Sequence, residues 1–279
     1  MLAKPFFILL MTLASSLVQA TDTPADRNAV IGELMEVSGL NHQIEQIPPM
    51  LDAGMRQGRN GIDADSFTKV SDALSEFNTS KVFREEIKNS LDKNYDAERF
   101  AAFLAMARSP LAQKMIRLEN EASTPEAMAN VREYAATLQK NPPASRRMEL
   151  IERLDKATGA TTVNLNIQLW TFQAMASIMD PVLPPERRMK PEQLEDIMWQ
   201  IQLQSRPMIQ QFAQINMLYA YRSVSDHELT EYLKLYETEI GKWYVDLAGK
   251  AIVSAFSNIA EKTAQRLKKA LPPPARGGS

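Results

Sequence analysis

The chain repeats itself. Shifted by 120 residues, Val30-Ile31, Leu34 and Ser38-Gly39 fall on Leu150-Ile151, Leu154 and Thr158-Gly159; Ile47 meets Ile167 and Met55 meets Met175. Further along, a shift of 129 matches Phe83 with Phe212, Phe103-Leu104 with Tyr232-Leu233, and Leu111-Ala112-Gln113 with Ile240-Gly241-Lys242. The extra nine residues are the length of the proline-rich stretch Asp180–Arg188, which has no counterpart in the first half. An ordered series of matches at one long period marks a supersecondary unit used twice. The sequence therefore predicts helical unit one over residues 21–141 and helical unit two over residues 142–270, packed as one body or as two close lobes. In both units an apolar helix ends in Leu-x-x-x-[Ser/Thr]-Gly. Gly39 and Gly159 fall where a helix stops and the backbone needs positive φ.

The expected fold is all-α. Glycine is scarce, with 10 in 279 residues, and strand-like alternation is nearly absent. Phe100, Phe103, Leu104 and Ala107 make one apolar helix face, as do Leu229, Tyr232, Leu233 and Tyr236. Ile240, Trp243, Tyr244, Leu247 and Ala251 continue into a long last helix ending near Ala270. Helix starts are marked by the capping box Ser225–Glu228, and by Ser109-Pro110 and Thr124-Pro125, each a cap residue before a proline at the first helical position. Pro110 ends one helix and begins the next.

Two of these motifs resemble a known family. The helix end Leu-x-x-x-[Ser/Thr]-Gly, with Ala107-Arg108-Ser109-Pro110-Leu111-Ala112-Gln113-Lys114 some sixty residues later, is similar to the bacterial exported domain of unknown function 2059, here in two tandem copies. That family usually carries an aromatic residue where this chain has Ala107. The second copy, Tyr236-Glu237-Thr238-Glu239-Ile240-Gly241-Lys242, keeps the aromatic residue and the glycine but lacks Arg, Ser and Pro. The resemblance implies a helical periplasmic protein and no particular activity. Gly39, Gly159, Ser109, Pro110 and Gly241 are expected to be structural.

The N-terminus supports export. Lys4 precedes an apolar run, Pro5 to Val18, and Val18-Gln19-Ala20 is a small-x-small cleavage signature before polar Thr21-Asp22. Residues 1–20 are read as a cleavable signal peptide, and residues 271–279 (LPPPARGGS) as a disordered tail. No later segment has the uninterrupted apolar length of a membrane span, so no transmembrane segment is expected after cleavage. A net charge of −2 argues against a nucleic-acid surface. The chain has no cysteine, which removes thiol catalysis, thiolate metal sites and disulfides.

Chemistry-bearing residues read mostly as scaffold. His42 and His227 are the two histidines, and no His-Glu-x-x-His is present. Acids cluster at Glu85-Glu86, Asp92, Asp96 and Glu98, and again at Asp226, Glu228, Glu231, Glu237 and Glu239. Helix starts and solvated polar faces account for them, although a glycoside hydrolase would also need paired carboxylates. No serine-nucleophile motif or phosphate loop is present. The 15 methionines fit a flexible core first and an adaptable groove second, with copper a remote third. The feature that leans most toward recognition is aromatic asymmetry: Trp170, Trp199 and Trp243 all lie in unit two.

The function expected is a periplasmic, non-catalytic binding or interaction module. Its partner would be a hydrophobic ligand, an envelope component or a protein, with no cofactor and no metal. Trp170, Phe172, Met175, Trp199, Tyr236 and Trp243 are the candidate contact residues. The alternatives are a carboxylate-dependent hydrolase of envelope glycan and a structural or stress-related envelope helper.

Overall fold

Side-chain caps start the helices largely where the sequence places them. A computed structural model describes residues 24–57, 63–180, 183, 186 and 188–270, which hold twelve α-helices and, among the described residues, no strand. The expected signal peptide and tail, and most of the Asp180–Arg188 stretch, lie outside the described residues. The first seven helices are α1 (Pro24–Val37), α2 (Leu40–Gln57), α3 (Ala64–Ser75), α4 (Ser80–Lys93), α5 (Ala97–Ala107), α6 (Pro110–Ala122) and α7 (Ala127–Lys140). The remaining five are α8 (Ser145–Thr158), α9 (Ala160–Met179), α10 (Pro191–Ala220), α11 (Asp226–Glu237) and α12 (Glu239–Ala270). No described helix is long and apolar enough to cross a membrane.

Asp96 accepts the Arg99 N–H at 3.0 Å to open α5, and Ser225 accepts the Glu228 N–H at 3.2 Å to open α11. Ser109 accepts from Ala112 N at 3.3 Å with Pro110 in the first turn of α6, and Thr238 accepts from Gly241 N at 3.0 Å at the start of α12. Each cap satisfies an otherwise orphaned backbone donor. Both turn glycines carry the expected positive φ, +76° at Gly39 and +67° at Gly159. One start differs from expectation. Pro125 does not begin a helix, because Thr124 accepts the Ala127 N–H through its hydroxyl at 3.2 Å and its carbonyl at 3.1 Å. That closes a turn, and α7 starts only at Ala127.

Three apolar clusters hold the helices together. The first joins α1, α2, α4 and α5 to α12: Phe83 meets Phe256 edge-on at 5.3 Å, and Phe103 stacks on Tyr244 at 3.8 Å. The second joins α8, α10 and α11 to α6, through Leu150, Ile151, Leu218, Leu229 and Tyr232 around Met115. The third gathers Met55, Val70, Leu74, Ile178, Met179 and Leu267 from α2, α3, α9 and α12. Met55, Met175 and Met179 therefore share one cluster as core filler.

Of the two packings the sequence leaves open, one body or two close lobes, the cores show no clear division at residues 141/142. Helix α12 lies in the second half of the chain but completes the first core, and α6 lies in the first half but completes the second. The physical reason is the breadth of the apolar stripe on α12. Tyr244, Leu247, Ala248, Ala251, Ile252, Ala255, Phe256 and Ile259 are all buried. A stripe that wide faces two neighbours, α4 on one side and α9 on the other.

Candidate functional site

The α8–α9 corner and α12 enclose a groove of about 460 Å³. The corner is held by Gly159 in the left-handed conformation and by buried Asp155, whose carboxylate accepts the Thr161 N–H and the Thr161 hydroxyl, each at 2.7 Å. These bonds cap α9 and fix its direction relative to α8. Trp170, Val163, Val245, Ile252 and Val253 line the groove with apolar surface. Lys156, Lys242, Lys250 and Asp246 supply its charge. Lys250 is paired with Asp246 at 2.7 Å, whereas Lys156 and Lys242 have no carboxylate partner among the described residues. An apolar trough with two ammonium groups that lack carboxylate partners is complementary to a ligand that is largely apolar and carries negative charge.

A second polar constellation lies inside the second core. Glu119 of α6 accepts hydrogen bonds from the hydroxyl of Tyr221 and, at 2.8 Å, from that of Tyr232, whose oxygen lies 3.2 Å from the Tyr236 hydroxyl. Burial pushes the Glu119 carboxyl above its ordinary value, against the pull of the two phenols. The same burial, with the nearby carboxylate, pushes Tyr221, Tyr232 and Tyr236 up, and Tyr244 rises to about 12. The adjoining void, lined by Phe103, Ala107, Tyr232 and Tyr236, measures about 10 Å³, roughly the room one water needs. This cluster is a fully bonded core network and offers no space for a substrate.

The six candidate contact residues do not converge on one site. Trp170 lines the groove. Trp243 turns to the first core, edge-on to Phe100 at 5.5 Å with the Arg99 guanidinium over its ring at 6.0 Å. Tyr236 belongs to the Glu119 network, Met175 packs on the third cluster, and Phe172 is half-buried on α9. Trp199 stands 64% exposed on α10. The structural assignments fare differently: Ser109 caps α6, and Gly241 is closely enclosed, since a Cβ there would lie 2.3 Å from the Leu235 carbonyl oxygen.

The other chemistry-bearing residues are bound into the scaffold. His42 Nε2 lies 2.7 Å from the Ser123 hydroxyl, and His227 is exposed in the first turn of α11. Asp226 pairs with Arg147 at 2.8 Å, and Glu228 pairs with Lys114 at 2.6 Å, a bond that with the Ser225 cap holds its carboxyl down to about 2. One acid departs from the solvated-face reading. Glu86 is buried in the wall of α4, paired with Lys262 and accepting from Asn258 at 2.7 Å. Among the described residues, no group of three or more His, Asp or Glu side chains is placed to hold a metal.

Sequence reasoning passed over Glu119, Lys156 and Lys242. The signal for Glu119 was present, because it shares the spacing of Ala112, Met115 and Ala122, all buried on one stripe of α6. The two lysines carry no local signal and resemble any solvated lysine until α9 and α12 come together. No protein-family model, curated protein or solved structure matches the chain.

Proposed function

We propose that the protein is an exported, non-catalytic binding module, and that the groove between the α8–α9 corner and α12 takes a single-chain amphiphile with an anionic head. The observation that carries this reading is the pairing of Trp170 and the apolar groove wall with two lysines that lack carboxylate partners. Apolar surface contributes most of the affinity of such sites, and a few charges fix orientation. Export rests on the N-terminal signal pattern, and the likeness to the domain of unknown function 2059 belongs to the same proposal.

Duplication of an ancestral unit is part of this reading. The caps at Asp96 and Ser225, and those at Ser109 and Thr238, recur at one spacing. The Gly39 turn faces Ile116 of α6 just as the Gly159 turn faces Val245 of α12. The copies differ where the groove lies. Lys242 aligns with Gln113, whose side-chain amide donates to the Val37 carbonyl at 2.9 Å and the Ala107 carbonyl at 2.8 Å. Unit one thus fills with a bonded amide the position where unit two presents a lysine. An envelope hydrolase would need two carboxyl groups facing one cleft, and the acids that the sequence singles out are spread over caps and ion pairs.

Titrating the purified protein with a medium-chain fatty acid, and reading tryptophan emission, tests the site. Trp170→Phe should abolish most of the change, whereas Trp199→Phe and Trp243→Phe should leave it. Lys156→Gln with Lys242→Gln should weaken binding of the carboxylate more than that of the matching alcohol. An emission change unaffected by Trp170→Phe, or no saturable change at all, would sink the proposal.

A further inference from the structure

Helix α10 is the outermost element of the α9–α10 pair, and most of it is unburied. It packs on α9, α8, α7 and α6, yet its fully buried residues, Ala213, Leu218 and Ala220, all lie in its C-terminal third. One exposed line runs along the rest: Glu192, Asp196, Trp199, Leu203, Arg206 and Gln210. Their spacing alternates four and three residues, the pattern of a helix face that meets another helix. At its centre Trp199 and Leu203 are 64% and 66% exposed, among the most exposed large apolar side chains of the structure. Neither Asp196 nor Arg206 has an ion-pair partner among the described residues.

The strip is complementary to itself when reversed. About a centre level with Ile201, Trp199 falls opposite Leu203, Asp196 opposite Arg206, and Glu192 opposite Gln210. We propose that α10 pairs antiparallel with α10 of a second copy of this chain, burying Trp199 against the partner copy's Leu203 and bridging Asp196 to the partner copy's Arg206. A two-fold axis requires such a self-complementary patch. A parallel pairing in register would set like charges against each other, so the charge order selects the antiparallel arrangement. The contact spans residues 192–210, about 27 Å of helix at the usual rise. With two apolar side chains per copy, it falls at the small end of specific interfaces, so association is weak, with Kd on the order of 10–100 μM. This inference is independent of the ligand groove.

Sedimentation equilibrium of the purified protein, from low micromolar to several hundred micromolar, tests it. A monomer–dimer equilibrium is expected, and Leu203→Asp should raise its Kd at least about tenfold, the cost of losing a central contact. All these positions are exposed, and thermal melting checks that each variant folds. Asp196→Arg and Arg206→Asp should each weaken the dimer, and the double variant should restore it, because each bridge is then rebuilt with reversed polarity. Trp199→Cys combined with Leu203→Cys should give a covalent dimer on oxidation, against a parent chain that has no cysteine. A monomer at every concentration, or a dimer indifferent to Leu203→Asp and to both charge reversals, would overturn the proposal and leave the strip to a different partner.

Discussion

Arg153 of α8 donates two hydrogen bonds to Glu237 of α11, at 2.8 and 3.0 Å, in the place where the first half of the chain has Glu33 of α1 accepting from Arg108. The pairs sit at matched positions of the two halves with their charges exchanged. An ion pair is indifferent to which helix carries which sign, so the bond is the same with the residues exchanged. Arg153→Glu and Glu237→Arg should each lower the denaturation midpoint by placing like charges together, and the double variant should recover most of the loss. Single variants that unfold like the parent would show both side chains to be solvated and uncoupled.

The two turn glycines and the helical Gly241 should rank by what surrounds them. A Cβ at Gly241 would strike backbone at 2.3 and 2.6 Å, one at Gly39 would lie 3.1 Å from Ile116, and one at Gly159 would lie 3.5 Å from Val245. Gly241→Ala should therefore be the most destabilising, followed by Gly39→Ala. Gly159→Ala should lose little beyond the strain of positive φ, on the order of 1–2 kcal/mol. Urea unfolding of the three variants checks the order.

Ser109 and Thr238 perform one task at matched helix starts, so their removal should have matched consequences. Ser109→Ala and Thr238→Ala should each cost about 1 kcal/mol, the usual value of a lost N-cap. Neither should alter ligand binding at temperatures where the variant is folded. A variant of normal stability with lost binding would make that cap part of a site.

Glu119 makes stability depend on pH in a defined direction. Its carboxyl is raised in the folded state, so its favourable contribution is complete below the ordinary glutamate value near 4. That contribution fades as pH rises through the raised value. Glu119→Gln keeps an acceptor for the two phenols and cannot ionise. The melting temperature of this variant should gain on that of the parent as pH goes from about 4 to about 8. A constant difference across that range would place the carboxyl in water.

Alkaline titration should find four of the seven tyrosines slow to ionise. Tyr221, Tyr232 and Tyr236 are raised by burial and by the Glu119 charge, and Tyr244 reaches about 12. These four should ionise late, above the usual phenol value of about 10, or only on unfolding. Because their folded values are raised, the stability they hold is present below that value and is lost as pH climbs above it. Absorbance of phenolate, followed beside far-ultraviolet circular dichroism, shows whether their ionisation waits for unfolding.

Much of the helix list was legible because its causes are local. Ser109-Pro110, the Ser225–Glu228 box and the glycines at 39 and 159 act within a turn or two of chain, and each does in the structure what its spacing implies. Thr124-Pro125 shows the limit of such local signals, since the same threonine can close a turn instead of opening a helix. The candidate contact set was legible only in part. Trp170 reached a groove while packing on the first core beside Phe256; Trp243 and Tyr236 went to cores and Trp199 to an outer face, because an aromatic residue has the same appetite for all three settings.

The sequence by itself determined an all-helical chain and where most of its helices begin and stop. Those properties come from hydrogen bonds and apolar periodicity within single helices. Only the tertiary structure decided that α12 fills the first core and α6 the second, that the Glu119 carboxyl lies among phenols, and that Lys156 and Lys242 share a groove with Trp170. An apolar stripe specifies that a helix must be covered but not by what. The partner is chosen by shape and volume among helices far apart in the chain, and the groove and the phenol-bonded acid come into being with that choice.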